Sequence, residues 1–123
     1  MTLAFDGDYR RLIAPQPSDD DCFVMPFSPA LEGRTGFVHG GAIIGFMEYA
    51  ASEIAKGVVG PAQLVRPISM TAQFHRGATD CRTFVRCRIS LRTKRLIFVE
   101  VSAWQQDESQ TVAGAAWKFM ITG

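Results

Sequence analysis

A carboxylate, a hydroxyl and two adjacent glycines lie close together in the middle of this chain. The stretch Gly36-Phe37-Val38-His39-Gly40-Gly41 runs directly into Ala42-Ile43-Ile44-Gly45-Phe46-Met47-Glu48-Tyr49-Ala50-Ala51-Ser52-Glu53-Ile54-Ala55-Lys56-Gly57. A carboxylate such as Glu48 can take a proton from water or attack an electrophilic carbon itself. A backbone N–H in the first turn of a helix has no partner within the helix and sits at the positive end of the helix dipole, which suits it to an oxyanion. Gly40 can offer such an N–H because no side chain blocks an approaching carbonyl, although a glycine needed only for a sharp turn would look the same. Ser52, one turn beyond Glu48, has a hydroxyl able to bond the carboxylate or a water, or equally to return to a helix carbonyl.

These residues need a helix to hold them. Small and apolar residues dominate from Ala42 onward, with Lys56 in the last turn and Gly57 placed as the residue just past the end. Such a rod spans roughly 27 Å. At about 100° per residue, Ile43, Met47, Ala50 and Ile54 share a core face edged by Phe46 and Ala51, while Gly45, Glu48, Ser52 and Lys56 lie opposite. Periodicity alone makes Glu48 a solvated residue. Gly45, Ala42, Ile44 and Tyr49 around it point instead to a covered surface.

The rest of the chain supplies strands. Met1 to Pro17 is weakly patterned, with Leu3, Phe5 and Leu12-Ile13 able to pack on the domain and Pro15 and Pro17 opposing regular structure. Ser18 to Asp21 reads as a turn and Cys22 to Phe27 as a short first strand. After the helix, Leu64, Ile68, Met70, Ala72 and Phe74 face one way, with Arg66 breaking the pattern. Thr83 to Leu91, Ile97 to Ala103 and Ala113 to Ile121 each alternate apolar and polar residues, the pattern of an antiparallel sheet covered on one side. Connections at Gly77–Asp80, Thr93–Arg95 and Gln106–Ser109 are short enough for hairpins. The expected fold is therefore α+β, a curved antiparallel sheet around one long helix. Phe84, Leu96, Phe98, Trp104 and Met120 fall on the outer face, more bulk than a monomer normally exposes, which implies a dimer at least.

Composition narrows the class. The 123 residues form one domain, 1–123, and no apolar run reaches the roughly 20 residues of a membrane span. Met1 to Arg10 lacks the basic and apolar regions of a signal peptide. Cys22, Cys81 and Cys87 form neither a disulfide framework nor a zinc pattern, which suits a reducing cytoplasm. The net charge is +1. The stretch from Arg66 to Arg95 is nevertheless basic, and most of it reads as the solvated face of a sheet. Near-neutral charge argues against nucleic acid as a partner despite Phe84 and Phe98 beside arginines. No nucleophile elbow, P-loop or dinucleotide-binding glycine pattern is present.

The V-H-G-G motif, with an acid nine residues after the histidine in a small-residue helix followed by four strands, resembles the hotdog-fold acyl-CoA thioesterases of the 4-hydroxybenzoyl-CoA thioesterase and phenylacetate-pathway type. The resemblance covers residues 22–121. It implies that Glu48 is nucleophile or general base, that the Gly40 amide polarises a thioester carbonyl, and that Ser52 is the accompanying hydroxyl. His39 would tie the turn together, with Gly41 beside it in the substrate-binding set. The implied substrate is a small aromatic or medium-chain acyl-CoA, with no cofactor, no metal and no membrane. The implied assembly is a homodimer or homotetramer whose sheets join edge to edge with active sites at the interface. One departure is Gly33, where the family carries Asn or Gln; either Arg34 or Glu32 substitutes, or the site is weaker or differently used. Alternatives are a hotdog dehydratase or hydratase and a non-catalytic acyl-CoA binder. CoA carries phosphates that arginine forks match, and Arg66, Arg76 and Arg95 are the candidates to contact them.

Overall fold

A computed structural model describes residues 8–123. A short helix α1 (Asp8–Ile13) and two short strands, β1 (Gln16–Asp19) and β2 (Cys22–Met25), precede a 3-10 turn at Pro29–Leu31. The long helix α2 (Gly40–Lys56) is followed by β3 (Leu64–Phe74), β4 (Thr83–Arg92), β5 (Leu96–Trp104) and β6 (Ala113–Thr122). The six strands form one antiparallel sheet in the order β1-β2-β4-β5-β6-β3, curved around α2. This is the hotdog architecture. Among the described residues no helix is long and apolar enough to cross a membrane.

The core lies between α2 and the sheet. Phe46, Met47, Ala50, Ala51 and Ala55 of α2 are fully buried against Val85, Ile97, Val99, Trp117 and Phe119. Ile54 is only half-buried and Ala55 takes its place, while Tyr49 is buried edge-on against Phe23 of β2. The buried arc of α2 is thus wider than the stripe its period suggests, because β2 and α1 cover a flank that the four long strands do not reach.

Several expectations need correction. The two glycines are not a turn before the helix but its first residues, and Gly57 is the C-cap in right-handed backbone (φ −69°), its N–H shared among carbonyls of the last turn. Residues 8–19 form α1 and β1; Pro17 is tolerated because β1 is an edge strand with a bulge beside it. Ile13 is fully buried and Leu12 is not, and Leu3 and Phe5 lie outside the described residues. Gly77–Asp80 does not close a hairpin. β3 pairs with β6 at one edge while β4 lies between β2 and β5, so this segment carries the chain across the end of the sheet.

The face of β3 also divides. Val65 and Pro67 stand opposite Ile121 and Phe119, a bulge intervenes between Pro67 and Ser69, and beyond it Met70, Ala72 and Phe74 stand opposite Trp117, Ala115 and Ala113. One extra residue exchanges the faces, so Leu64 shares no face with Met70. The outer-face bulk that suggested a partner is covered from within: Phe84 stacks on Trp104 at 5.7 Å, Arg86 lies over Trp104, and Lys118 lies over Phe98. Exposed apolar surface is found on β3 instead, at Leu64, Ile68, Met70 and Phe74. Among the described residues, two of the basic stretch are ion-paired, Arg86 with Asp21 and Glu108, and Arg88 with Glu100.

Phe46→Ala should cost about 3–5 kcal/mol in urea unfolding because it empties the centre of the core, whereas Leu91→Ala, on an exposed position, should cost less than about 0.5 kcal/mol.

Candidate active site

His39 opens α2. Its Nδ1 accepts from Gly41 N–H at 2.9 Å, so the side chain is the N-cap, and the His39 backbone N–H donates to Leu31 O at 2.8 Å. An accepting Nδ1 puts the proton of the neutral ring on Nε2. The turn expected to be tied by His39 is tied by these bonds, together with Val38 N–H to Ala78 O at 2.8 Å and Gly33 N–H to Phe37 O at 3.0 Å. Gly41 is fully engaged, its N–H by His39 and its carbonyl by the Tyr9 hydroxyl at 3.1 Å. Gly40 is not: among the described residues none accepts from its N–H.

That N–H lies at a cavity of about 430 Å³ lined by Gly33, Arg34, Phe37, His39, Phe74, His75 and Arg76, among others. The Phe74 ring leans on Gly40, close enough for a Cβ there to touch it at 3.4 Å. Arg34 lies 4.4 Å above the Phe37 ring, and Arg76 is held by Gln110 Oε1 at 3.0 Å. His75 Nδ1 is 2.7 Å from Thr111 Oγ1. Among the described residues no carboxylate lines this cavity; its side chains are apolar groups, histidines and arginines around the Gly40 N–H, a setting for an electron-rich oxygen.

Gly33 follows from local packing. A Cβ there would lie 3.2 Å from both Cα and Cδ2 of His39, so the loop approaches the cap too closely for a side chain without adjustment. Of the two candidates to replace the missing polar group, Glu32 is used inside the turn, accepting from Gly36 N–H at 3.0 Å, and Arg34 reaches the cavity.

Glu48 is half-buried and held. Its Oε1 accepts from the Trp117 indole N–H at 3.2 Å, across from α2 to β6, which fixes the carboxylate and leaves Oε2 for other partners. Ser52 is half-buried one turn further along the same stripe, and its hydroxyl makes no hydrogen bond among the described residues. The stripe is Gly41, Gly45, Glu48 and Ser52, with Tyr9 over its glycine end. Burial pushes the Tyr9 phenol pKa up, and the nearby Glu48 charge adds to that.

The structure brings His39, Gly40, Gly41 and Arg76 to one end of the domain. Glu48 does not line the Gly40 cavity; eight residues further along the helix, it sits about 12 Å away in rise. Arg66 and Arg95 lie at the other end, Arg66 opposite Met120 and the Arg95 carbonyl bonded by Ile121 N–H, roughly 30 Å along β3 from Arg76. Trp117, Phe74, His75 and Tyr9 escaped sequence reading. For Trp117 a signal exists: a buried indole needs an acceptor, and Glu48 is the carboxylate in the middle of the helix that this strand faces.

A curved antiparallel sheet wrapped around one long helix is the hotdog framework. Residues 35–112 match the model of the thioesterase superfamily, and the chain belongs to that family; it is a thioester hydrolase. Solved structures agree in fold. A Bacillus halodurans protein determined with CoA superimposes with a TM-score of 0.82 at 16% identity, over 89% of this chain and 72% of that one. A thioesterase from Haemophilus influenzae gives 0.85 at 11% identity, over 96% and 85%. A phenylacetic acid degradation-related protein from Ralstonia eutropha gives 0.81 at 16%, over 88% and 85%. No curated protein matches the sequence.

Trp117→Phe removes the hydrogen bond to Glu48 while keeping an aromatic ring in the core. Because a bond to a charged group is worth roughly 1.5–3 kcal/mol, urea unfolding should show a loss of stability of about that size. His39→Ala should cost about 1 kcal/mol of stability through loss of the cap, and His39→Asn should recover part of it.

Proposed function

We propose that this protein hydrolyses acyl-CoA thioesters, with the Gly40 N–H polarising the thioester carbonyl and Glu48 as the reacting carboxylate. The observation that carries the reading is the unpaired Gly40 amide at the cavity, next to a Gly41 amide already taken by the cap. The carbonyl oxygen accepts from Gly40 and gains negative charge as the carbon is attacked. Either Glu48 takes a proton from the attacking water, or Glu48 attacks first and the resulting anhydride is hydrolysed; in both cases the C–S bond breaks with the pair leaving on the CoA sulfur, which is then protonated. Ser52 supports the water or the carboxylate.

In one chain the amide and the carboxylate lie apart, so the working site is read as composite. The exposed apolar residues of β3 and the unpaired edge of that strand favour a second copy joined edge to edge. Antiparallel pairing of two β3 strands sets the Arg66 end of one copy beside the Arg76 end of the other, so Arg66, Arg76 and Arg95 can all be nucleotide contacts of one site. His39 and Gly41 frame the carbonyl. The substrate class this reading expects is a small aromatic or medium-chain acyl-CoA. The three free cysteines fit a reducing cytoplasm.

The purified protein, assayed against acyl-CoA and enoyl-CoA panels, should release free CoA from the former and leave the latter unchanged. Glu48→Ala and Glu48→Gln should each lower kcat by about a hundredfold or more in folded protein. Unchanged turnover in either variant defeats the assignment. Sedimentation at micromolar concentration should give at least a dimer, and a 13.5 kDa species that is still active rules out the composite site. Arg76→Ala should raise KM for the CoA ester and leave KM for a truncated pantetheine thioester unaltered.

A further inference from the structure

The stripe of α2 that carries Glu48 begins with two glycines, and a ring from elsewhere in the chain lies in the notch they leave. Tyr9 projects from α1 onto Gly45 so closely that a methyl group there would fall 2.1 Å from the Tyr9 oxygen and 2.7 Å from its ring carbons. Its hydroxyl donates to Gly41 O at 3.1 Å. The position is anchored. Ile13, at the end of the same helix, is fully buried, and Arg10 donates to the Tyr49 hydroxyl at 3.4 Å with its guanidinium 5.4 Å from the Tyr49 ring. Tyr9 itself remains 39% exposed, so part of the ring is a finished surface beside the carboxylate rather than a core contact.

We propose that Tyr9 limits acyl length: its ring is the end wall of the acyl subsite that runs along α2 from Glu48 toward Gly41. The inference rests on the reading of Glu48 as the reacting carboxylate. A carbonyl carbon within reach of Glu48 starts its acyl chain on this stripe, and toward the helix N-terminus the chain meets the Tyr9 ring at Gly45, within about one turn. A wall fixed by a backbone hydrogen bond and a buried isoleucine excludes longer chains instead of swinging aside. Short acyl chains are therefore the substrate class this wall selects, and Gly45 is glycine because the ring occupies the space of its side chain.

The test uses the full chain and non-hydrolysable straight-chain acyl-CoA analogues, acetyl to dodecanoyl, with a methylene in place of the thioester sulfur, titrated by calorimetry. In the wild type, affinity should rise with the first methylenes and then fall. In Tyr9→Ala the fall should vanish, with the dodecanoyl analogue bound about tenfold tighter or more, since each newly buried methylene adds roughly 0.8 kcal/mol. Gly45→Ala, whose methyl displaces the ring, should move the cut-off the same way, and Tyr9→Ala/Gly45→Ala should go no further than either single variant. Tyr9→Phe should keep the wild-type cut-off. A Tyr9→Ala profile that keeps that cut-off, or shifts every length by one factor, overturns the inference, as does a wild type that binds no analogue. Hydrolysis of the matching thioesters is followed in parallel. A cut-off that moves with Tyr9 in a protein without turnover of these esters upholds the wall and removes the proposed acyl-CoA reaction at Glu48, whereas normal turnover with an unmoved cut-off removes only the wall.

Discussion

The hydrogen bond from Gly41 N–H to His39 Nδ1 sets the start of α2 at the cavity. A helix start has several N–H groups without intrahelical partners, and a side-chain cap normally satisfies one of them. Here the cap reaches over Gly40 to the next residue, so the first amide of α2 stays open at the cavity while the second is closed. The backbone N–H of the same histidine donates to Leu31 O, and the loop passes Gly33 close to the His39 side chain, so the loop geometry and the cap are set together. Where Gly33 stands, a side chain would start 3.2 Å from the capping histidine, which would have to give by a few tenths of an ångström.

The carboxylate is set by a different contact. Glu48 lies on the side of α2 away from the deepest core, yet the indole of Trp117 rises from β6 to meet it. The helix alone would leave a flexible acid in water; the sheet converts it into an oriented one with a free oxygen. Tyr9 then encloses the glycine end of the same stripe. Three elements distant in sequence, α1, α2 and β6, meet around one short segment of helix surface.

The basic stretch from Arg66 to Arg95 divides by sheet position. Arg86 and Arg88 lie on the outer face, where Asp21, Glu108 and Glu100 reach them, so their charge is spent in surface pairs of modest energy. Arg76 stands past the end of β3 at the cavity, and Arg66 stands at the start of that strand. β3 is also where apolar side chains remain exposed, because it is an edge strand with no neighbour beyond it among the described residues.

The sequence by itself determined what depends on local period and residue type. Small residues at helical spacing require α2, alternation requires four long strands with one covered face, and the His39-Gly40-Gly41 start followed by Glu48 and Ser52 marks the candidate site. Periodicity carries no information on which strand lies beside which, so Gly77–Asp80 looked like a hairpin when β3 in fact crosses to the far edge. A single bulge after Pro67 reversed the faces of β3, which no alternation pattern reveals in advance. The outer aromatics looked like an interface until Arg86 and Lys118 were found over their rings, a contact between strands rather than along one. Only the tertiary structure decided the partners of the polar groups: Trp117 for Glu48, Tyr9 for Gly41 and Gly45, and no described acceptor for Gly40. Hydrogen bonds across elements depend on three-dimensional proximity, which a linear pattern of residue types does not encode.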